Sequence, residues 1–213
     1  MQILLQEIVP TYFEREQITG SDIWGREITF SKGEHVHIVA PSGSGKTSLI
    51  HFIYGLRKDY TGTISYQDKN IKNFSLEQFS TFRQKRLSIV FQDLRLFTEQ
   101  TARNNIELKR QLDPYHPPEK IDEMAARLGI SNKLNRLAKT CSYGEQQRIA
   151  IIRSLMQPFD FLLLDEPFSN LDENNRRKAF ELIQEECALR NASMIFADLK
   201  QLDFLTGQRT VKL

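Results

Sequence analysis

Short apolar or alternating runs recur along the chain, each bounded by turn-forming residues, and they predict β-strands. The predicted strands span Ile3 to Val9, Glu27 to Phe30, His35 to Val39, Gly62 to Tyr66, Leu87 to Phe91, Phe161 to Leu164, Ser193 to Ala197 and Thr210 to Leu213. The run from Phe161 to Leu164 is apolar throughout, which is typical of a strand that is covered on both faces in a parallel sheet.

Helical patterns alternate with these strands. Helices are predicted from Lys46 to Leu56, after a cap at Ser75, and from Asn175 to Leu189, whereas Gln67 to Asn70 is typical of a turn. From about Thr101 to Met156 the pattern is helical, with breaks at proline and glycine, and no strand is predicted. The chain is therefore predicted to be a parallel α/β protein interrupted by a helical block.

The composition is that of one globular domain over residues 1–213. Of the residues 40% are hydrophobic, and 29 Lys and Arg against 27 Asp and Glu leave a net charge of +2. This balance excludes a disordered chain and does not favour nucleic acid as a partner. Two cysteines, Cys141 and Cys187, are too few for a disulfide-stabilised secreted scaffold, so we expect a reducing compartment. The apolar runs are too short to cross a bilayer, and the N-terminus lacks the basic region of a signal peptide.

A glycine- and serine-rich segment follows the strand that ends at Val39 and opens the next helix. It reads Ala40-Pro41-Ser42-Gly43-Ser44-Gly45-Lys46-Thr47 and continues with Ser48. Such a loop turns its backbone N–H groups toward phosphate oxygens, and the helix N-terminus adds partial positive charge. Lys46 is expected to reach the β- and γ-phosphates, and the Thr47 hydroxyl to hold Mg²⁺. By itself the loop predicts only a nucleoside triphosphate site, which a nucleotide kinase or a GTPase would also carry.

Two adjacent acids, Asp165 and Glu166, end the apolar strand that begins at Phe161. A carboxylate there lies at the carboxyl edge of the sheet, where open α/β proteins bind ligands. Asp165 is expected to hold Mg²⁺ through its water shell, and Glu166 to polarise the attacking water. The pair favours ATP hydrolysis over phosphoryl transfer to a small substrate.

The segment before that strand carries a more specific pattern. It reads Cys141-Ser142-Tyr143-Gly144-Glu145-Gln146-Gln147-Arg148. This segment resembles the signature motif of ABC-type ATPases, usually Leu-Ser-Gly-Gly-Gln or -Glu followed by Gln-Arg. The segment Ser169-Asn170-Leu171-Asp172 resembles the D-loop of that family, and Gln92 resembles its Q-loop glutamine. The order and spacing of these motifs match the family over nearly the whole chain.

The resemblance implies a P-loop NTPase fold, in which a RecA-like core with an antiparallel β part carries an inserted α-helical subdomain. The core would comprise residues 1–91 and 157–213, and the helical subdomain about 92–156. In this family two chains pack head to tail and hold ATP between the phosphate loop of one chain and the signature segment of the other. The residues that would face the partner's ATP are Ser142, Tyr143, Gly144 and Glu145, with Asp172 in the D-loop.

The resemblance also implies ATP and Mg²⁺ as cofactors. The metal would lie beside Thr47, Gln92 and Asp165, and the catalytic groups would be Glu166 and Gln92. An aromatic residue near the first strand would stack on adenine; both Tyr12 and Phe13 fit that place, and either could instead be a core residue.

The implied function is that of the ATP-binding subunit of an ABC transporter, which couples ATP-driven dimerisation and hydrolysis to movement of membrane subunits. The implied partners are a second ABC ATPase chain, identical or different, and integral membrane permease subunits. The chain would lie on the cytoplasmic face of the membrane. The Glu form of the signature and the segment Thr61-Gly62-Thr63-Ile64 resemble the subgroup that serves lipoprotein release, macrolide export and cell division.

Three positions depart from the family pattern. Tyr143 replaces a glycine, and we expect its bulk to crowd the phosphate or to require an unfavourable φ. Cys141 replaces a leucine and is interpreted as a small buried apolar residue. The switch histidine is replaced by Asp198 or Leu199, depending on a one-residue choice of alignment. ATP binding with slow hydrolysis is therefore expected, and the alternative function is a hydrolysis-impaired, ATP-sensing regulatory module of a membrane complex.

Overall fold

The computed structural model describes residues 1–199 and 207–213, which form strands and helices in alternation. The strands are β1 (Gln2–Pro10), β2 (Glu27–Ser31), β3 (His35–Val39), β4 (Tyr60–Tyr66), β5 (Lys69–Asn70), β6 (Leu87–Val90), β7 (Phe161–Asp165), β8 (Ser193–Asp198) and β9 (Arg209–Lys212). The helices are α1 (Arg15–Ile18), α2 (Lys46–Ile53), α3 (Leu76–Lys85), α4 (Ala102–Leu112), α5 (Glu119–Arg127), α6 (Tyr143–Leu155) and α7 (Glu173–Arg190).

The strands form two sheets of different type. One has four strands in the order β2-β1-β4-β5, all paired antiparallel. The other has five strands in the order β6-β7-β8-β3-β9, all paired parallel. Strands β3, β6, β7 and β8 therefore all end at the same edge of the parallel sheet, and the residues that follow them meet there.

The parallel sheet separates two hydrophobic clusters. Alternate side chains of β7 and β8 point to opposite faces, as the period of a strand requires. Leu162, Leu164 and Phe196 belong to a cluster with the buried residues of α4, α5, α6 and α7. Phe161 and Leu163 belong to the other cluster, which includes α2 and the antiparallel sheet. Covering on both faces explains why β7 is apolar throughout, as the sequence indicated.

The predicted helical block is confirmed, because residues 101–156 contain α4, α5 and α6 and only an isolated bridge between Thr101 and Leu137. The proposed boundaries of a separate helical subdomain, at residues 92 and 156, stay a prediction. Buried residues of α6 share one hydrophobic cluster with the parallel sheet. Within residues 1–199 and 207–213, no helix is both long and apolar enough to cross a membrane.

The prediction was wrong at three local points. Lys69–Asn70 forms a short strand on β4 instead of belonging to the turn, which is confined to Gln67 and Asp68. The helix expected to reach Leu56 ends at Ile53, and the four-residue helix α1 was not predicted. A two-residue strand depends on the exposed backbone groups of its neighbour, which no local pattern encodes.

A glycine in β4 permits a bulge in β1. The register of the β1–β4 pair shifts between Gln6 and Val9, where Glu7 has a φ of 50°. Opposite the bulge, Gly62 has a φ of 77°, and a Cβ there would lie 2.4 Å from the carbonyl oxygens of both Gln6 and Glu7. Gly62 is therefore fixed both by its left-handed conformation and by the close approach of backbone.

We expect Gly62→Ala to destabilise the protein more than Gly20→Ala does. Gly20 also has a positive φ, of 87°, but no atom lies within 4 Å of the Cβ position. Conformational strain, about 1–2 kcal/mol, is common to both variants, whereas overpacking adds about 1–3 kcal/mol at Gly62 alone. Urea unfolding of both variants measures the difference in the free energy of unfolding. Equal losses of stability would show that the backbone of the bulge moves to accept the added Cβ without cost.

Candidate functional site

The phosphate loop joins β3 to α2 in a conformation that requires glycine. Gly45 caps α2 with a φ of 93°, in the left-handed region. A Cβ on Gly45 would lie 2.9 Å from both Phe13 Cζ and Trp24 Cζ2. Gly43 has a φ of 83°. Trp24 also holds the loop, because its Nε1 donates to the carbonyl of Ser44 (3.1 Å). Trp24 was not predicted as a site residue.

The Lys46 side chain is buried inside this loop. Its Nζ donates to the carbonyl oxygens of Ala40 and Pro41, at 2.9 Å each, and lies 3.6 Å from Glu166 Oε1. The ammonium is therefore held between the phosphate loop and the residue after β7. This contact joins the phosphate loop to the acidic pair, two motifs that the sequence predicts to share one site.

Asp165 is a buried carboxylate at the end of β7. It is fully buried, and both oxygens lack a hydrogen-bond partner among the residues that the structure describes. Burial raises the pKa of Asp165 to about 6; the nearby Thr47 hydroxyl opposes the rise, and the charge of Glu166 adds to it. A buried carboxylate without a partner fits a cation, because a metal ion would supply the missing interaction.

Glu166 adopts a left-handed conformation that turns it toward Lys46, with a φ of 46°. Its backbone is held by neighbours, since its N–H donates to the carbonyl of Ala197 (2.9 Å) and its carbonyl accepts from Gln147 Nε2 (3.2 Å). Strained backbone of this kind is frequent at functional sites. Gln147 was not assigned this role from the sequence.

The side-chain amide of Gln92 lies between Thr47 and Glu166. The Thr47 hydroxyl donates to Gln92 Oε1 (3.2 Å), and Gln92 Nε2 donates to Glu166 Oε2 (3.5 Å). Thr47, Gln92 and Asp165 also line one cavity, together with His51, Asp93 and Tyr143. The structure thus places the three residues predicted to hold Mg²⁺ next to each other. His51 was missed, although its spacing of four residues from Thr47 puts it on the same helix face.

Both candidate adenine-stacking residues line a second cavity beside the phosphate loop. The Tyr12 ring is half exposed, its hydroxyl lies 2.5 Å from Ser48 Oγ, and the Arg57 guanidinium is 5.2 Å from its centroid. Phe13 instead packs edge to face against Trp24, at 5.6 Å between centroids. Exposure therefore favours Tyr12 for a planar ligand, and packing favours Phe13 as support for the loop.

The signature segment begins α6. The Ser142 hydroxyl caps the helix by accepting from the Glu145 N–H (3.3 Å), and Glu145 Oε2 accepts from the Ser142 N–H (2.8 Å). The expectation of an unfavourable φ at Tyr143 was wrong. Tyr143 is the first helical residue and lies outside the left-handed region, since Ser142 supplies the cap. Cys141 is buried, and burial raises the pKa of its thiol, as expected for an apolar substitute.

The signature helix and the D-loop pack tightly against each other. A Cβ on Gly144 would lie 2.9 Å from the carbonyl oxygen of Asn170. Gln147 bridges the same loop, because its Oε1 accepts from the Asn170 N–H (3.2 Å). Asp172 caps α7 by accepting from the N–H of Asn175 (2.8 Å), and this bond lowers the pKa of Asp172. In this chain, therefore, Ser142 and Asp172 both serve as helix caps.

Asp198 and Leu199, the two candidates for the position of the switch histidine, lie beside the phosphate loop. The Asp198 carbonyl accepts from the Ala40 N–H (3.2 Å), and Asp198 Oδ1 accepts from the Leu199 N–H (2.6 Å). Leu199 is 43% exposed. The next residue, Lys200, falls outside the described residues.

The sequence and fold of this chain resemble those of known proteins. The family model "ABC transporter" matches residues 25–169. The chain belongs to the ABC transporter family. It is 35% identical over 164 residues to the ABC transporter ATP-binding protein YxdL of Bacillus subtilis, covering 75% of this chain and 64% of that protein. It is 32% identical over 174 residues to the lipoprotein-releasing system ATP-binding protein LolD of Legionella pneumophila, covering 80% and 77%.

A third relative, the macrolide export ATP-binding/permease protein MacB of Nitrosomonas europaea, is 32% identical over 164 residues, which cover 76% of this chain but only 25% of that protein. Among solved structures, the dimeric structure of MJ0796, a bacterial ABC transporter cassette, superimposes with a TM-score of 0.78 at 23% identity, covering 93% of this chain and 88% of that one. The ABC ATPase fold class expected from the sequence is thereby confirmed.

Asp165→Asn is expected to stabilise the ligand-free protein at neutral pH. Because the folded-state pKa of Asp165 is raised from 3.8 to about 6, the unfolded state ionises first, and stability falls as the pH rises through that interval. The neutral amide avoids this loss, so we expect a gain of about 2–3 kcal/mol at pH 8 that vanishes near pH 4. Urea unfolding at pH 8 and at pH 4 measures the gain in the free energy of unfolding. An equal gain at the two pH values would contradict an effect of the Asp165 charge.

Proposed function

We propose that this protein binds and hydrolyses ATP as the ATP-binding subunit of an ABC transporter. The observation that supports this most directly is the convergence of Lys46, Thr47, Gln92, Asp165 and Glu166 at one edge of the parallel sheet. These residues come from segments far apart in the chain. Together they supply an ammonium group that can bind phosphates, oxygen atoms that can bind a metal ion, and a carboxylate that can accept a proton from water.

The phosphate loop and Lys46 would bind the triphosphate. Backbone N–H groups at the start of α2 and the Lys46 ammonium offer positive charge to the β- and γ-phosphates. Before nucleotide binds, the carbonyls of Ala40 and Pro41 hold the Lys46 ammonium in place. The Tyr12 ring, half exposed in a cavity beside the phosphate loop, would stack on adenine.

Thr47, Gln92 and Asp165 would hold Mg²⁺. When bound, the metal neutralises charge that develops on the phosphate oxygens. Asp165 gains a partner for its two buried oxygens in the same event. Metal binding would therefore favour the ionised form of a carboxyl that burial otherwise disfavours.

Glu166 would act as the base in hydrolysis. The water oxygen attacks the γ-phosphorus, the bond to the oxygen bridging the β- and γ-phosphates breaks, and the water proton moves to the Glu166 carboxylate. ADP and phosphate leave. Lys46, at 3.6 Å from Glu166 Oε1, and Gln92, at 3.5 Å from Oε2, orient this carboxylate.

A second ATP-binding chain and membrane subunits would complete the transporter. Ser142 and Gly144 would contribute to the ATP site of the partner chain, and the helical segment of about residues 92–156 would contact the permease on the cytoplasmic face of the membrane. The named relatives support this assignment, since one is an ABC transporter ATP-binding protein and another is the ATP-binding protein of a lipoprotein-releasing system. The likeness to LolD and MacB supports placing the chain in the subgroup for lipoprotein release and macrolide export.

Lys46→Ala is expected to weaken ATP binding by at least about tenfold, since a charge-assisted hydrogen bond contributes about 1.5–3 kcal/mol. Glu166→Gln is expected to keep binding and to lose hydrolysis by about a hundredfold or more, because the amide cannot accept the proton. A fluorescent ATP analogue and phosphate release measure the two effects, with the exposed Lys72→Ala as control. Binding unaffected by Lys46→Ala would contradict the proposed site.

The alternative function, an ATP-sensing regulatory module, rests on the expectation of slow hydrolysis, which follows from Asp198 or Leu199 in place of the switch histidine. An Asp near the γ-phosphate repels it, and a Leu donates no hydrogen bond. Asp198 is the last residue of β8 and Leu199 follows it, beside the phosphate loop. The same site would then bind ATP and close on it, but rarely turn over.

Leu199→His and Asp198→His test this expectation. We expect low steady-state turnover in the wild type and a rise of about tenfold or more in the variant that restores a polar contact to the γ-phosphate. Phosphate release measures the rate, and adding Glu166→Gln should abolish it in every background. Failure of both variants to raise the rate would contradict the assignment of slow hydrolysis to the missing histidine.

A further inference from the structure

The Tyr143 side chain makes one defined hydrogen bond to the main chain of Gln92. Its hydroxyl donates to the Gln92 carbonyl at 3.0 Å. Tyr143 is the first residue of α6, and Gln92 follows the end of β6 by two positions. The bond therefore connects the start of the signature helix with the segment that contains a proposed catalytic residue of the same chain.

The segment after β6 needs external anchors. Leu94 and Arg95 both have left-handed φ values, of 58° and 46°, which L-residues adopt only when their surroundings hold them. Arg153, near the other end of α6, donates to the carbonyls of Leu94 (2.5 Å) and Arg95 (2.7 Å). Helix α6 thus holds this segment at two places, through Arg153 on one side and Tyr143 on the other.

The side chain of Gln92 depends on how its main chain is held. Its Oε1 accepts from Thr47 and its Nε2 donates to Glu166. A shift of the Gln92 backbone would change the length and the angle of these bonds. We propose that Tyr143 is a positioning residue: its hydroxyl fixes the Gln92 main chain, so that the Gln92 amide stays between Thr47 and Glu166. This inference rests on the proposed function.

This contact depends on the hydroxyl of Tyr143. Neither the glycine of the family motif nor a phenylalanine offers a donor there. The side chain is 47% exposed, so removing only its hydroxyl should disturb packing little. The same bond gives the N-terminal end of α6, including Ser142, a direct mechanical link to the proposed metal ligands of its own chain.

The test compares Tyr143→Phe with Tyr115→Phe in the full-length chain. Tyr115 is also partly exposed but packs on Arg190, away from the site. Binding of a fluorescent ATP analogue is titrated with Mg²⁺, and the Mg²⁺ concentration for half-maximal binding is recorded. We expect Tyr143→Phe to raise it about two- to tenfold, the effect of one hydrogen bond. Tyr115→Phe should leave it unchanged, and the loss of one hydrogen bond should lower the Tm of Tyr143→Phe by no more than about 2–4 °C.

A double-mutant cycle separates positioning from a general structural effect. If Tyr143 acts through Gln92, the effect of Tyr143→Phe disappears when Gln92 is already alanine. A wild-type Mg²⁺ dependence in Tyr143→Phe, or a shift that persists undiminished with Gln92→Ala, would overturn the inference while leaving the proposed function intact. Wild-type protein that does not bind the analogue would contradict the proposed function, and this inference with it.

Discussion

The parallel pairing of β6, β7, β8 and β3 is the constraint on which the candidate site depends. Parallel strands end at a common edge, so the phosphate loop, Gln92, the two acids at the end of β7 and the end of β8 must meet there. Two hydrophobic clusters cover the two faces and keep the order fixed. None of the site residues needs to be near another in sequence, because the sheet brings their segments together.

The site holds charges where an apolar core would be more stable. Lys46 and Asp165 are both buried, and only the first has hydrogen-bond partners among the described residues. Burial of Asp165 disfavours its ionised form, which is the form a cation needs. The ligand-free protein is thus less stable than its packing permits, and nucleotide with metal would recover part of that energy.

Sequence patterns were sufficient where one local signal determines the structure. The apolar run of β7 and the glycine-rich turn into α2 each indicate an element and its functional residues together. Sequence patterns were insufficient where contacts between distant segments of the chain determine the structure. The strand at Lys69–Asn70 exists only through its pairing with β4, and Trp24 and Gln147 hold the site through hydrogen bonds that join segments distant in the chain. The cap at Ser142 explains why Tyr143 needs no unusual backbone.

The departures from the family motif follow the packing of this chain. Gly144 keeps the residue of the motif, and a side chain there would collide with the Asn170 carbonyl. Cys141 is buried and replaces one apolar residue by another. Tyr143 and Leu199, which change chemistry, are 47% and 43% exposed, and packing tolerates them. What changes at these positions is therefore chemistry: Tyr143 brings a hydrogen-bond donor to the Gln92 carbonyl, and Leu199, one of the two candidates for the switch position, has no polar side-chain atom.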